Sequence, residues 1–312
     1  MRKFNLKGKV VERMLGVREE EKRQEEPQTT PVVTEDNASP GFTDIQGSFR
    51  LAWRTDVGRL RKNNQDTVIL GNGMAGVADG MGGHNGGEIA SAGLRDGLLR
   101  ETKDVLPSRE ALEEAVRNVN LALWEQQEKD STLSGMGTTL TLLWPDEKNM
   151  IIGQVGDSRA YLIRNGEMKQ VTDDHSLVAD MVRKGVLTEE QAACHPMRNY
   201  ITRAVGTEET IETDIFILPR QTGDLWLVCS DGLHGLVDRA DMLRIALKDD
   251  LEEAAESLLQ AALENGGRDN ISLVLLRDDT VFPACGTETD SGASELQDPQ
   301  PEDDGIREVT PQ

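Results

Sequence analysis

The order of short apolar segments and paired helical segments restricts the folds open to this chain. Runs of β-forming residues lie at 49–53, 67–70, 75–78, 138–144, 150–155, 159–164, 215–218, 225–229 and 271–276. Helical patterns cover residues 87–100, 108–129, 176–194, 239–248 and 251–264. Since a doubly wound parallel sheet would alternate each strand with one helix, helix pairs between groups of hairpin-linked strands favour an α+β layered sandwich.

Composition divides the chain of 312 residues into three parts. Residues 1–47 begin with a short basic segment and continue as a stretch rich in Glu, Gln, Pro and Thr, which predicts a disordered N-terminal arm. Residues 279–312 are acidic and rich in Pro, Ser, Thr and Gly, which predicts an acidic disordered tail. The apolar residues concentrate between them, so we expect one folded domain over residues 48–278.

Charge and hydropathy exclude several classes of partner. The formal net charge is -22, and no basic stripe is present that could follow a nucleic-acid backbone. No apolar stretch approaches the ~20 residues that span a bilayer, and the basic N-terminus lacks the apolar segment of a signal peptide. The three cysteines form neither a CxxC pair nor a disulfide pattern. We therefore expect a cytoplasmic protein without stable membrane insertion and without nucleic-acid binding.

Five aspartates occur where an apolar strand meets a turn, namely Asp66, Asp79, Asp157, Asp231 and Asp269. Each alone is typical of a tight turn, in which Asp-Gly is a common pair. Five carboxylates at strand ends are harder to explain in this way, because they would repel one another unless a cation neutralised them. Oxygen ligands without His or Cys favour Mg²⁺ or Mn²⁺ over zinc.

Eight short motifs, each weak alone, follow one another in a specific order. They are TDVGRLRKNNQD (55–66), DGMGGH (79–84), GMGTT (135–139), GDSRAY (156–161), TDDHS (172–176), RNYITRAVG (198–206), SDGL (230–233) and RDNIS (268–272). Over residues ~50 to ~277 the chain resembles bacterial members of the PPM (protein phosphatase 2C) family. The resemblance implies a four-layer α-β-β-α sandwich, in which helices flank two mostly antiparallel sheets, and a phosphatase catalytic domain over 48–278.

The resemblance also implies a site for two Mn²⁺ or Mg²⁺ ions. Asp79 would bridge the two ions, the Gly80 carbonyl would bind one of them, and Asp231 and Asp269 would bind the other. Asp66 would hold metal-bound water and orient the ligands without binding a metal itself. A hydroxide bridging the ions would then hydrolyse the phosphomonoester directly. Two cations about 3.5–4 Å apart suit this chemistry, because they activate water and clamp the phosphoryl oxygens.

Two further residues have two interpretations each. Asp157 resembles a family residue linked to a third, weaker metal site, and the alternative is a structural cap for Arg159. Arg61 matches the family residue that binds the substrate phosphate, and its planar guanidinium can grip two phosphate oxygens. The alternative for Arg61 is an ordinary surface arginine, since Arg59 and Lys62 are neighbouring bases.

The chain departs from the family pattern at two positions. Gln65 stands where Glu is frequent, and an amide adds no charge to the metal site. Met81 stands where animal relatives carry a histidine thought to act as general acid, although bacterial members commonly have Met. The proton donor is therefore open between His84, His175 and a metal-bound water, with both histidines expected to be structural.

The segment from Leu177 to Val205 resembles the family's flap, which influences substrate choice; a surface helix pair is a compatible alternative. We predict a monomeric protein serine/threonine phosphatase whose partners are phosphorylated proteins and a Hanks-type serine/threonine kinase. One alternative is a phosphoprotein-binding pseudophosphatase that regulates a partner. Another is a phosphatase of sporulation or stress-factor control, although such proteins usually carry sensor or membrane domains.

Overall fold

The computed structural model describes residues 48–82 and 86–282. The predicted N-terminal arm, most of the predicted acidic tail, His84 and Cys285 lie outside the described residues. The proposed boundaries at 48 and 278 remain predictions. In the part of the chain that is described, no helix is both long and apolar enough to cross a membrane.

The described strands form two sheets, and every strand pair in them is antiparallel. The first sheet has the order β1 (Phe49–Asp56), β11 (Ile271–Asp278), β10 (Leu225–Cys229), β7 (Arg159–Arg164) and β8 (Glu167–Gln170). The second has the order β2 (Asp66–Gly71), β3 (Met74–Met81), β5 (Leu140–Pro145), β6 (Asn149–Val155) and β9 (Asp214–Pro219), with β4 (Gly137–Thr138) paired to the end of β3.

Three apolar cores hold the two sheets against each other and against the helices on their outer faces. The helices are α1 (Gly86–Glu101), α2 (Arg109–Lys129), α3 (Leu177–Arg183), α4 (Glu189–Ala193), α5 (Asp231–His234), α6 (Arg239–Ala246) and α7 (Leu251–Glu264). One core joins α1 and α2 to the second sheet, and another joins α6 and α7 to the first sheet. The third core, with Trp226 and Val274 from one sheet and Val77 and Ile152 from the other, lies between the sheets. The predicted four-layer α-β-β-α sandwich is confirmed.

Side-chain caps fix the starts of three helices. Ser108 accepts the N–H of Ala111 at 3.1 Å at the start of α2, and Asp250 accepts the N–H of Glu252 at 2.8 Å at the start of α7. Thr188 forms a complete capping box at the start of α4. Such caps satisfy backbone donors that have no partner within the helix, so they are readable from local sequence.

Two strands differ from the sequence prediction. The run at 138–144, predicted as one strand, is divided between β4 and β5, because the N–H of Thr139 donates instead to the Asp79 carbonyl at 2.9 Å. Strand β8 was not predicted. Asn165 (φ 54°) and Gly166 (φ 78°) connect it to β7, and an Asn-Gly pair in this conformation is the strongest local signal for a hairpin.

A buried ion pair closes one end of the first sheet and gives the first testable prediction. Arg220 and Asp278 are joined by two hydrogen bonds of 2.7 and 3.1 Å, and their side chains are 2% and 0% exposed. Asp278→Ala would leave the guanidinium buried without its partner, so we expect a loss of about 3–5 kcal/mol in the free energy of unfolding in urea. Asp279→Ala removes the exposed partner of Arg50 and should cost about 1 kcal/mol or less. Equal losses in the two variants would contradict this assignment.

Candidate metal centre

The pairing of β2 with β3 brings the first two predicted site residues together. Asp66 and Asp79 are direct partners across this antiparallel pair, and such partners project their side chains from the same face. The N–H of Gly80 donates to the Gln65 carbonyl at 3.1 Å and extends the contact by one residue. Two carboxylates therefore stand side by side at the end of the second sheet.

Backbone contacts hold Asp79 while leaving its carboxylate free of them. The N–H of Asp79 donates to Thr139 Oγ1 at 2.9 Å, and its carbonyl accepts from Thr138 Oγ1 at 3.1 Å. Gly80 is required here by packing, since a Cβ at this position would lie 2.1 Å from the Gly87 carbonyl oxygen.

The first sheet supplies the other predicted ligands. Asp231 is the first residue of α5, directly after β10, and Asp269 lies two residues before β11. Ser230 links the two sheets, because its Oγ donates to Asp66 Oδ2 at 2.8 Å while its N–H donates to the Ser272 carbonyl at 3.0 Å. Carboxylates from both sheets thus meet at one end of the sandwich.

Burial and repulsion between neighbouring carboxylates both raise the pKa values of Asp66, Asp79 and Asp231. Burial raises the pKa of Asp66 to about 7, with added repulsion from Asp231 and Asp269. Burial also raises the pKa of Asp231 to about 6, and the neighbouring Asp269 contributes to the rise. The pKa of Asp79 is raised well above its usual value by burial and then by Asp66, Asp231, Asp157 and Asp269. The structure therefore gathers all five aspartates predicted from the sequence.

Two oxygens of this cluster are free to bind a ligand. Among the described residues, Asp66 Oδ1 and Asp157 Oδ1 are buried and have no hydrogen-bond partner. A buried carboxylate oxygen without a partner is costly, and a cation or a water bound to one would satisfy it. The chemistry of this donor set, oxygen only and strongly negative, fits Mn²⁺ or Mg²⁺.

The carboxylates lie close together, but they do not form a complete coordination shell for a metal ion. Within residues 48–82 and 86–282, no group of three or more His, Cys, Asp or Glu side chains is already arranged to hold a metal ion. Asp269 shows one reason, because its Oδ2 accepts from Arg61 Nη2 at 2.6 Å and its Oδ1 accepts from the N–H of Asn270 at 2.9 Å. A cation at this site would require the side chains to turn toward it.

Asp157 does not cap Arg159, so that alternative interpretation is wrong. The Arg159 guanidinium instead forms a two-pronged pair with Asp174, with distances of 3.0 Å from Nε to Oδ1 and 2.7 Å from Nη2 to Oδ2. Burial raises the pKa of Asp157 to about 8, and the charge of Asp231 adds to the rise. The carbonyl of Asp157 contacts His234 Nε2 at 3.0 Å, which gives that histidine a structural role.

Arg61 lies at the edge of the carboxylate cluster, on the loop of residues 57–65, and its side chain is half exposed. Asn270, to which the sequence gave no role, fastens this loop. Its Oδ1 accepts the N–H of Gln65 at 2.9 Å, and its Nδ2 donates to the carbonyls of Val57 and Asn63, each at 2.9 Å. The RDNIS motif contained this residue, but its partners are more than 200 positions away.

The surroundings of His175 argue against it as the proton donor. Met81, at the end of β3, pairs with Gly137 and cannot donate a proton. His175 is buried, and its ring nitrogens contact the N–H of Gly156 at 3.1 Å and Asp214 Oδ2 at 3.1 Å. Burial lowers the pKa of His175, the opposite of what a proton donor near neutral pH requires.

Comparisons with known proteins agree with this fold and identify the family. The family model for protein phosphatase 2C matches residues 61–275. The serine/threonine phosphatase stp of Listeria innocua is 39% identical over 242 residues, which cover 72% of this chain and 94% of that protein. The serine/threonine protein phosphatase PstP of Mycobacterium tuberculosis is 38% identical over 230 residues, or 73% of this chain and 44% of that protein. The chain therefore belongs to the protein phosphatase 2C family.

Solved structures of serine/threonine phosphatases have the same fold. The crystal structure of the Mycobacterium tuberculosis serine/threonine phosphatase PstP/Ppp has a TM-score of 0.70 and 37% identity, covering 75% of this chain and 100% of that one. The catalytic domain of PstP in complex with two manganese ions has a TM-score of 0.68 and 36% identity, covering 74% and 98%.

Replacing Asn270 tests whether it holds the Arg61 loop. Asn270→Ala removes three hydrogen bonds to partly buried backbone groups, so the free energy of unfolding should fall by about 2–3 kcal/mol. The control Asn265→Ala removes one exposed bond, to the Leu236 carbonyl, and should cost about 1 kcal/mol or less. Urea denaturation measures both. An Asn270→Ala variant as stable as the wild type would contradict the role assigned to this side chain.

Proposed function

We propose that this chain is a metal-dependent protein serine/threonine phosphatase that uses two Mn²⁺ or Mg²⁺ ions. The observation that carries the proposal is the cluster of Asp66, Asp79, Asp231 and Asp269, whose carboxylates repel one another unless cations neutralise them. The family assignment supports it, as do the phosphatase names of the relatives and the two manganese ions bound to the PstP catalytic domain.

Each acidic residue would have a distinct task. Asp79, near the end of β3, would bridge the two ions, with the Gly80 carbonyl on one and Asp231 and Asp269 on the other. Asp66, held by Ser230 through one oxygen, would use its free Oδ1 to orient water. When bound, the two cations activate water for attack on phosphorus and neutralise charge on the phosphoryl oxygens.

Arg61 would bind the substrate phosphate. Its guanidinium is half exposed and already pairs with an anionic oxygen of Asp269, so it reaches the edge of the centre. A phosphate offers the same kind of acceptor in a geometry that a planar guanidinium grips with two bonds. Ground-state binding through Arg61 would therefore orient the phosphoryl group toward the acidic cluster.

The proton for the leaving oxygen would come from water or from His84, which lies outside the described residues. His175 is engaged at both ring nitrogens, and Met81 has no proton to give. We further propose phosphorylated proteins as substrates, a Hanks-type kinase as the opposing enzyme, a monomeric state and a cytoplasmic location. The presence together of Asp79, Asp231, Asp269 and Arg61 argues against the pseudophosphatase alternative.

A metal-ligand substitution tests the proposed mechanism directly. Asp231→Asn keeps the shape of the side chain but removes a charge from the proposed metal site, so turnover of a phosphothreonine peptide with Mn²⁺ should fall about 100-fold or more. EDTA should abolish the activity of the wild type. Asp241→Asn, on the exposed surface of α6, is the control and should keep full activity.

Activity that survives EDTA, or survives Asp231→Asn undiminished, would contradict the two-metal mechanism. Complete inactivity of the wild type on p-nitrophenyl phosphate and on phosphopeptides, with Mn²⁺ bound as shown by calorimetry, would favour the pseudophosphatase instead.

Substitution of Arg61 separates phosphate binding from simple surface charge. Arg61→Ala should raise KM for p-nitrophenyl phosphate about 10- to 100-fold, because charged hydrogen bonds contribute about 1.5–3 kcal/mol. Arg61→Lys should recover only part of this loss, since an ammonium cannot make the two-pronged contact. Lys62→Ala removes the same charge one residue away and should change KM less than about twofold. Equal effects at both positions would indicate a general electrostatic effect.

A further inference from the structure

Four residues form a hydrogen-bonded group that we call the His175 junction: Gly156, His175, Arg203 and Asp214. His175 Nδ1 accepts the N–H of Gly156 at 3.1 Å, so the ring proton must lie on Nε2. With the proton there, Nε2 donates to Asp214 Oδ2 at 3.1 Å, and its 3.2 Å contact with Arg203 Nη1 joins two donors and is not a hydrogen bond. Arg203 Nη1 donates to Asp214 Oδ1 at 2.6 Å. The Asp214 carboxylate therefore connects the His175 ring with the Arg203 guanidinium.

The junction holds both polar backbone groups of Gly156. In addition to the ring contact, the N–H of His175 donates to the Gly156 carbonyl at 2.8 Å, and Gln154 Nε2 donates to the same oxygen at 2.9 Å. Gly156 has a φ of 101°, and a Cβ here would lie 2.6 Å from Thr139 Cγ2. This turn therefore has little freedom, and its direction determines where Asp157 points.

The same histidine also fastens the base of the predicted flap, residues 177–205. The N–H of Thr202 donates to the His175 carbonyl at 2.8 Å, and the N–H of Leu177 donates to the Tyr200 carbonyl at 2.9 Å. Arg203 lies in this base and also donates to the Glu212 carbonyl at 3.2 Å. His175 thus connects the turn that carries Asp157 with the flap base, through its own carbonyl and, from its side chain, through Asp214 to Arg203.

We propose that His175 is a positioning residue, which fixes the Gly156–Asp157 turn through Nδ1 and couples the position of Asp157 to the flap base through Nε2. Asp157 Oδ1, buried and without a partner, is the group whose direction this coupling sets. The inference rests on the proposed function only for the binding of Mn²⁺ near Asp157. The hydrogen-bonded coupling itself can be measured without any metal.

Two amide substitutions of His175 each retain one half of the coupling. In His175→Asn, Oδ1 can take the place of Nδ1 and still accept the N–H of Gly156. In His175→Gln, the longer amide can take the place of Nε2 and reach Asp214, while the bond to Gly156 is lost. Hydrogen exchange of the Gly156 amide in the metal-free full chain should be about tenfold faster in His175→Gln, and near the wild-type rate in His175→Asn.

Calorimetric titration with Mn²⁺ gives the second readout, with Asp157→Asn as reference. His175→Gln should weaken the same Mn²⁺-binding step that Asp157→Asn weakens, with an affinity for Mn²⁺ about tenfold lower than in the wild type. His175→Asn should bind Mn²⁺ as the wild type does. Asp214→Asn alters only the Nε2 contact, as His175→Asn does, so it should leave Gly156 exchange near the wild-type rate and accelerate exchange of the Thr202 amide in the flap base. The control His195→Asn replaces a flap histidine whose Nδ1 accepts the N–H of Met197, and it should leave Gly156 exchange unchanged.

Equal Gly156 exchange in the two His175 variants, or faster exchange in His175→Asn, would overturn the proposal. So would a change in Gly156 exchange with an unchanged Mn²⁺ titration in His175→Gln, because the turn would then not direct Asp157. If the exchange and titration results are as expected but the wild type hydrolyses no phosphopeptide, the proposed function fails while this inference stands.

Discussion

Mutual repulsion among buried carboxylates is the constraint on which the rest of this structure depends. Asp66, Asp79, Asp157 and Asp231 all have raised pKa values, with burial as the largest cause and neighbouring aspartates as a further one. Such a cluster opposes folding unless a cation is present, so other parts of the molecule must keep it together. The three apolar cores provide this, because they fix the two sheets whose ends carry the acids.

The polar residues around the site mostly bind backbone groups and leave the carboxylate oxygens alone. Thr138 and Thr139 hold the N–H and carbonyl of Asp79, and Asn270 holds three backbone groups of the loop at 57–65. Ser230 is an exception, since it donates to Asp66 directly. Positioning through the backbone leaves ligand oxygens available, and it explains how rigid placement and a free coordination site can coexist.

The sequence predicted the features that depend on local chemistry. Strand ends carrying Asp79 and Asp231, and caps such as Ser108, are set by residues within a few positions, so periodicity and turn composition reveal them. Helix α5 escaped prediction because Gly232 argues against a helix locally. Gly232 is required by tertiary packing, because a Cβ at this position would lie 1.9 Å from the Asn270 carbonyl oxygen. The tautomer of His175 likewise depends on partners 19 and 39 residues away.

The loop of residues 57–65 and the base of the segment 177–205 are each held by a neutral side chain, and charge explains why. Asn270 secures the Arg61 loop, and His175 links the Gly156 turn to Asp214, which binds Arg203 in the flap base, each through directional hydrogen bonds. A carboxylate at either place would add to the repulsion of the cluster, and a cation would compete with the metal for its ligands. His175 could gain a charge, but the N–H of Gly156 occupies Nδ1, so protonation would break that bond. An amide and an imidazole held neutral therefore position the loops without altering the field at the metal centre.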